Sequence, residues 1–366
     1  MISIKRFIII SSIASSISVT GCRPMPALEH RFPIGLFKVN NPSELKEIKG
    51  SGFDSFHTDF LKPNDLEPLA EAASSLGMSM LVFPNDLRNL KTAKDTSHWP
   101  ILAWYIDDEP DVEGLSFDQL NAIAAQTRQW DPKRPQAFSI GKGEKAKNYP
   151  DIGNVLMLDW YPIPHLNINS VGDEINAARK FLPQNKPLWM IVQALDWKDY
   201  PQRDPSKKRI GRFPTSTEIR YMSYLAVLHG ARGLFYFTHT MPNGQTLLEY
   251  PERWQALSRV AKEMKRMRPI FVFGDGTGYN GKPNSEDLKI HIWNYQKKSY
   301  AVLLNKSSEK HAALPEAFLA RQWRPLFERF RDVRKILTQN NSRWQLPPQH
   351  VLVLEGPLIP KGLSIE

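Results

Sequence analysis

Short apolar runs alternate with amphipathic stretches along most of this chain. Phe32 to Val39, Phe53 to Phe60, Met78 to Pro84 and Ile101 to Asp107 read as the first four strands. They are near-continuous apolar runs rather than strict alternations, as expected for strands covered on both faces. Pro135 to Ile140, Asn154 to Ile163, Pro187 to Gln193 and Gly233 to Thr238 read as four more. Between them lie helical patterns with start signals. Asn41-Pro-Ser-Glu44 places a cap, a first-turn proline and an acid in order. Leu66, Leu69, Ala70, Ala73 and Leu76 recur at helical spacing and stop at Gly77. Ser116 with Gln119, and Thr215 with Glu218, form capping boxes. Helices are also expected over 172–182 and about 251–268, the latter with Trp254, Leu257, Val260, Met264 and Met267 on one face.

Eight strand–helix alternations over residues 32–270 predict an α/β fold of the (β/α)8 TIM-barrel type, which typically takes about 250 residues. The rival is a doubly wound open sheet, but no glycine-rich phosphate turn follows the first strand. Past Pro269 the texture changes. Polar turns separate Leu288–Trp293, Tyr300–Leu304 and His350–Leu354, which predicts a small antiparallel β-sandwich-like domain over 271–366. Residues 315–336 have no clean assignment.

Composition adds a core and an address. Hydrophobic content is 41% with ten Trp, which excludes a disordered chain. The net charge of +10 is compatible with an anionic partner or an envelope surface. No P-loop, zinc-finger spacing or compact basic tract is present, so no nucleic-acid role is expected. Lys5 and Arg6 precede an apolar stretch, Phe7 to Val19, too short to span a bilayer. Val19-Thr20-Gly21-Cys22 resembles a bacterial lipobox, and Cys22 is the sole cysteine. That resemblance implies a signal peptide over 1–21, lipidation of Cys22 and a tether over 22–31. With Arg23 rather than Asp after the cysteine, it implies outer-membrane rather than inner-membrane retention.

The candidate chemistry lies at the C-terminal ends of the strands, where such barrels keep their sites. These ends carry His57, then Asp107, Asp108 and Glu109, then Asp159, Trp160 and Tyr161. Gln193, Asp196 and Trp197 follow strand seven, and Tyr236 and His239 lie at strand eight. Acids, amides and aromatics on one rim suit carbohydrate: ring faces stack on sugars, and carboxylates bind hydroxyls or cleave glycosidic bonds. Trp160 and Trp197 are the stacking candidates, and His57 and His239 read equally as structural residues. No His-Glu-x-x-His pattern occurs, so neither metal nor cofactor is expected. Adjacent carboxylates raise one another's pKa, which predicts that Glu109 holds its proton near neutral pH. The basic stretch Arg203 to Arg212 suits an acidic polysaccharide or a solvated loop.

Ala103-Trp-Tyr-Ile-Asp-Asp-Glu-Pro110 resembles the fourth-strand motif of clan A (β/α)8 glycoside hydrolases. Val155-Leu-Met-Leu-Asp-Trp-Tyr-Pro162 and Gly230-Ala-Arg-Gly-Leu-Phe-Tyr236 resemble the sixth- and eighth-strand segments. The resemblance covers about 32–270 and implies Glu109 as acid/base. It also implies a nucleophilic Glu after strand seven, where this chain has Gln193. Asp159 or Asp196 can replace that carboxylate. Alternatively, Asp108 and Glu109 resemble the acid pair of substrate-assisted hexosaminidases. Two functions fit this pattern: hydrolysis of an envelope or extracellular polysaccharide with Glu109, Asp108 and Asp159, or carbohydrate binding without turnover.

Overall fold

The computed structural model describes residues 28–59, 61–84, 96–200, 210–278, 286–319, 322–328, 338–340 and 343–359. The expected signal peptide, Cys22 and Arg203 to Arg209 of the basic stretch lie outside the described residues.

Eight parallel strands close on themselves: β1 (Ile34–Leu36), β2 (Ser55–His57), β3 (Ser79–Val82), β4 (Ile101–Asp107), β5 (Gln136–Ile140), β6 (Val155–Trp160), β7 (Leu188–Gln193) and β8 (Leu234–Phe237). Closure runs through β1 and β8, with Ile34 opposite Leu234 and Leu36 opposite Tyr236. This is the (β/α)8 barrel, and the open sheet is excluded. The seam is tight, since a Cβ at Gly35 would run into the Phe235 ring.

Successive side chains point to opposite faces of a strand. Ala103, Tyr105, Ala137, Met157, Trp189, Ile191 and Phe235 therefore fill the barrel interior. Trp104, Phe138, Leu156, Leu158, Met190 and Val192 face outward onto the helices. Those helices are α1 (Leu45–Gly50), α2 (Pro63–Leu76), α3 (Pro110–Glu113), α4 (Phe117–Trp130), α5 (Ser170–Arg179), α6 (Ser216–Leu228) and α7 (Pro251–Phe273). Both capping boxes are formed, at Ser116 and Thr215. Gly77 ends α2 at φ 60°, a left-handed position that glycine takes without strain. Asn41 caps a 3-10 turn that runs into α1.

Behind the barrel lie two antiparallel sheets. One is built from β9 (Asp275–Gly278), β10 (Leu288–Tyr295), β11 (Lys298–Asn305), β13 (Arg324–Pro325) and β16 (Val351–Pro357), in the order β13-β16-β11-β10-β9. The other comprises β12 (Ala312–Ala313), β14 (Thr338–Asn340) and β15 (Arg343–Leu346). Alternation again divides the labour. Tyr300, Val302, Leu304, Val351 and Val353 join the core of the barrel's helical layer. Ala301, Leu303, Leu352 and Leu354 form a second core with Leu314, Trp323 and Leu346. Residues 315–336, unassigned from sequence, contain a 3-10 turn at Glu316–Leu319 and the short β13.

Candidate active site

The site is set by an irregularity in β4. Tyr105 pairs with Ala137, but Asp107, not Ile106, pairs with Phe138. Two residues of β4 thus oppose one of β5, a β-bulge. An extra residue reverses the facing of everything after it. Ile106 packs in the outer core, and Asp107 registers with the outward-facing Phe138. Asp108 thereby turns to the inner side, where its Oδ1 accepts from the Tyr105 hydroxyl at 2.6 Å and from Ser139 Oγ at 2.8 Å.

Glu109 follows at φ 52°, a left-handed conformation that is strained for a side chain of this kind. Three features hold it there: its N–H donates to Ser139 Oγ at 3.0 Å, Pro110 starts α3 immediately behind it, and β5 is followed by Gly141. A Cβ at Gly141 would lie 3.0 Å from Glu109 Oε1, so the carboxyl rests over bare backbone. Glu109 is half-buried.

From β6, the inward positions are Asp159 and Tyr161. The Tyr161 hydroxyl is buried, and its pKa is driven well above the ordinary value. Burial is the main cause, followed by the charge of Asp159 and then those of Glu109 and Asp108. Tyr105 is raised likewise, by burial first, then by Asp108 and more weakly by Asp159. Asp108 and Asp159 thus act on both phenols and Glu109 on Tyr161 alone, and both phenols stay protonated.

An aromatic wall stands beside them. The Tyr161 ring stacks on Phe237 at 5.4 Å between centroids and meets Trp197 edge-on at 6.0 Å. Tyr200 approaches Phe237 at 5.9 Å. Lys38, at φ 59°, holds its ammonium 5.6 Å over the Phe237 ring and 3.7 Å from Asp59. The floor is His57, stacked on Phe37 at 4.3 Å and against Tyr105 at 4.5 Å. Burial, reinforced by Lys38, holds the His57 pKa well below its usual value, so the ring is neutral.

Several expectations are corrected. Trp160 and Tyr236 fall on outward positions: the Trp160 indole donates to Ser170 on α5 at 2.8 Å, and Tyr236 shares a 2.9 Å bond with Ser223 on α6. Neither can stack on a sugar in the mouth. Gln193 points inward but is fully buried, and its amide grips the backbone of Ile163, accepting from N–H and donating to C=O, each at 2.7 Å. His239 is sealed against Glu44 at 2.9 Å. Asp196 caps the turn after β7 through Lys198 N–H and lies 3.6 Å from Arg253. The Asp107 carboxyl is pushed up to about 6, chiefly by burial. Tyr105, Ser139, Lys38 and Phe237 belong to the site and were not singled out from sequence. Counting inward positions along β4 and β8 would have found Tyr105 and Phe237.

A (β/α)8 barrel with carboxylates and aromatic rings on its C-terminal rim defines the class. No protein-family model and no curated protein sequence matches this chain. Solved structures do resemble it. Eubacterium rectale Amy13B aligns with a TM-score of 0.57 at 10% identity, covering 90% of this chain and 96% of the other. A glycoside hydrolase family 5 protein from Bacteroides vulgatus gives 0.56 at 13% identity, with 92% of each chain covered. An Anoxybacillus alpha-amylase gives 0.55 at 10%, covering 92% and 100%. At such identities the likeness establishes the shared barrel fold.

Proposed function

We propose that this chain hydrolyses a glycosidic bond, with Glu109 as the proton donor and Asp159 as the second carboxylate. The observation that carries this reading is the placement of three acids at the barrel mouth: Asp108 turned inward by the β4 bulge, Glu109 lodged beside Gly141, and Asp159 on an inward position of β6. Two carboxyl groups flanking the scissile bond are what the reaction needs, one to protonate the leaving oxygen and one to attack or to activate water. Asp108, held on one oxygen by Tyr105 and Ser139, positions the sugar through its other oxygen. Tyr161 stabilises the charge on Asp159. Trp197, Tyr200 and Phe237 provide ring faces for neighbouring sugars. Gln193, committed to Ile163, takes no part in the chemistry.

The substrate in this reading is an envelope or extracellular polysaccharide. The supporting feature is the lipobox-like Val19-Thr20-Gly21-Cys22, which would anchor the protein in a bacterial envelope through a lipid on Cys22, at the outer membrane given Arg23. A second reading, sugar binding without turnover, is favoured by the amide at position 193. The test is a hydrolysis screen on purified polysaccharides with parallel binding measurements. Glu109→Gln and Asp159→Asn should each lower turnover by about 100-fold or more while binding persists. Turnover unaffected by Glu109→Gln overturns the assignment of the donor, and tight binding with no turnover in the native chain selects the second reading.

A further inference from the structure

The face of the barrel opposite the site carries its own pattern. A cleft of about 360 Å³ opens at the N-terminal ends of β4 and β5, lined by Leu28, Arg31, Arg128, Lys133, Arg134 and Gln136. A second depression of about 350 Å³ shares Arg31 and Leu102 with it and adds His30, Lys49, Asp54 and Arg268. Cations gather here: burial lowers the pKa of Lys49, the charge of Asp54 opposes the shift, and Lys265 and Arg268 add to it in smaller part. Two acids on this face are already committed. Asp54 binds Arg268 and the Ile34 N–H, and Asp131 lies 3.4 Å from Arg134 and accepts from the Trp104 indole. Arg128 and Lys133 remain exposed.

Exposed aromatic surface accompanies the charge. Phe273, at the end of α7, is 62% exposed and stacks on His30, and Phe181, in the connection leading into β7, is 41% exposed. Basic side chains interspersed with exposed aromatic rings suit a membrane interface, where cations meet anionic headgroups and rings enter the boundary layer. The chain also enters the fold on this face. Leu28 to His30 form a 3-10 turn at the rim of the cleft, and Leu28 packs against the interior core. Cys22 precedes Leu28 by six residues, so even a fully extended tether reaches only about 20 Å.

We propose that the N-terminal face of the barrel docks on an anionic phospholipid bilayer, with Arg128 and Lys133 contacting headgroups and Phe273 entering the interface. The catalytic mouth then faces away from the membrane, toward extended polymer. The tether argument rests on the lipid-anchor reading; the charge and aromatic arguments do not.

The test is co-sedimentation of the full chain carrying Cys22→Ser, so that lipidation plays no part. Vesicles are phosphatidylcholine alone, or with about one-third phosphatidylglycerol. Selective binding to the anionic vesicles that weakens with salt is expected. Arg128→Glu with Lys133→Glu should lower it by about 25-fold, at about fivefold per cation lost. Lys142→Glu with Lys198→Glu, exposed just past the C-terminal ends of β5 and β7, should leave it within about twofold. Equal binding to both vesicle types, or equal effects of the two double variants, overturns the docking. So does displacement by millimolar inorganic phosphate at constant ionic strength, which would mark a small-anion cleft instead. Failure of Cys22 lipidation in cells leaves this outcome untouched.

Discussion

Gln193 stands where the clan A resemblance implies a nucleophile, and its surroundings decide what a carboxylate there would do. Both ends of its amide are used on Ile163, and the side chain has no exposed surface. Gln193→Glu exchanges the donor facing Ile163 C=O for a second acceptor and buries a charge. Such a change costs about 2–4 kcal/mol. A buried Glu has its folded pKa raised above the unfolded one, so the loss grows as pH rises. Urea melts should show a larger deficit at pH 8 than at pH 5, with no gain in turnover. Asp107 tests the same principle in the native chain. Its carboxyl titrates at about 6 in the fold against 3.8 ordinarily, so the folded state binds the extra proton between those values. Stability is therefore favoured below about pH 4 and falls as pH rises to 6. Asp107→Asn keeps an acceptor for the Asp108 N–H and removes the charge. After allowance for solvent screening it should stabilise the protein by about 1 kcal/mol above pH 6 and by nothing below pH 4. A pH-independent difference would contradict this.

At the scale of elements, the site is a meeting of strand ends whose facing follows parity. Gly141, just past β5, leaves room for the Glu109 carboxyl delivered by the β4–α3 corner. Gly141→Ala puts a methyl 3.0 Å from that carboxyl and 2.9 Å from Val112 Cγ2. Turnover should fall by about tenfold or more with KM little changed, since the donor moves and the aromatic wall does not. Unaltered kcat would show that the carboxyl tolerates displacement. Much of this scale was legible. Capping residues, the glycine stop at Gly77 and the apolar runs locate the barrel's strands and main helices, because each rests on local backbone chemistry. Parity was the weak point. Trp160 and Tyr236 sit one residue from inward positions, and continuous apolar runs carry no alternation to show which set faces in. The β4 bulge lay deeper still. Nothing in Tyr-Ile-Asp-Asp announces an extra residue, yet it sends Asp107 outward and Asp108 inward.

At the scale of the whole molecule, the C-terminal sheet is fastened to the barrel by a buried charge network. Arg220 on α6 pairs with Glu263 on α7 at 2.8 Å and with Glu328 at 3.1 Å, and it donates to Val351 C=O on β16 at 2.6 Å. Its side chain is 15% exposed, and those of Glu263 and Glu328 are 11% and 20%. Tyr224 adds a 2.7 Å bond to Glu263. Burial raises the pKa of Glu328 despite the opposing charge of Arg220. Removing the guanidinium would leave two poorly solvated carboxylates facing each other across the seam. Breaking a buried pair from one side costs about 3–5 kcal/mol, far more than a surface bridge. Arg220→Ala should therefore lose about that much in urea unfolding. Arg220→Met refills the stem's volume and should recover little, because the deficit is electrostatic. Loss should centre on the seam, so limited proteolysis should cut residues 275–359 before the barrel opens. The network lies in the outer helical layer, and the proposed catalytic mouth is lined by inward-facing residues, so kcat under native conditions should stay within about twofold. Simultaneous loss of turnover and sheet protection would show instead that the sheet supports the site itself. Arg220→Ala with Glu263→Gln and Glu328→Gln separates charge from packing: neutralising both acids should restore most of the stability that the single change removes.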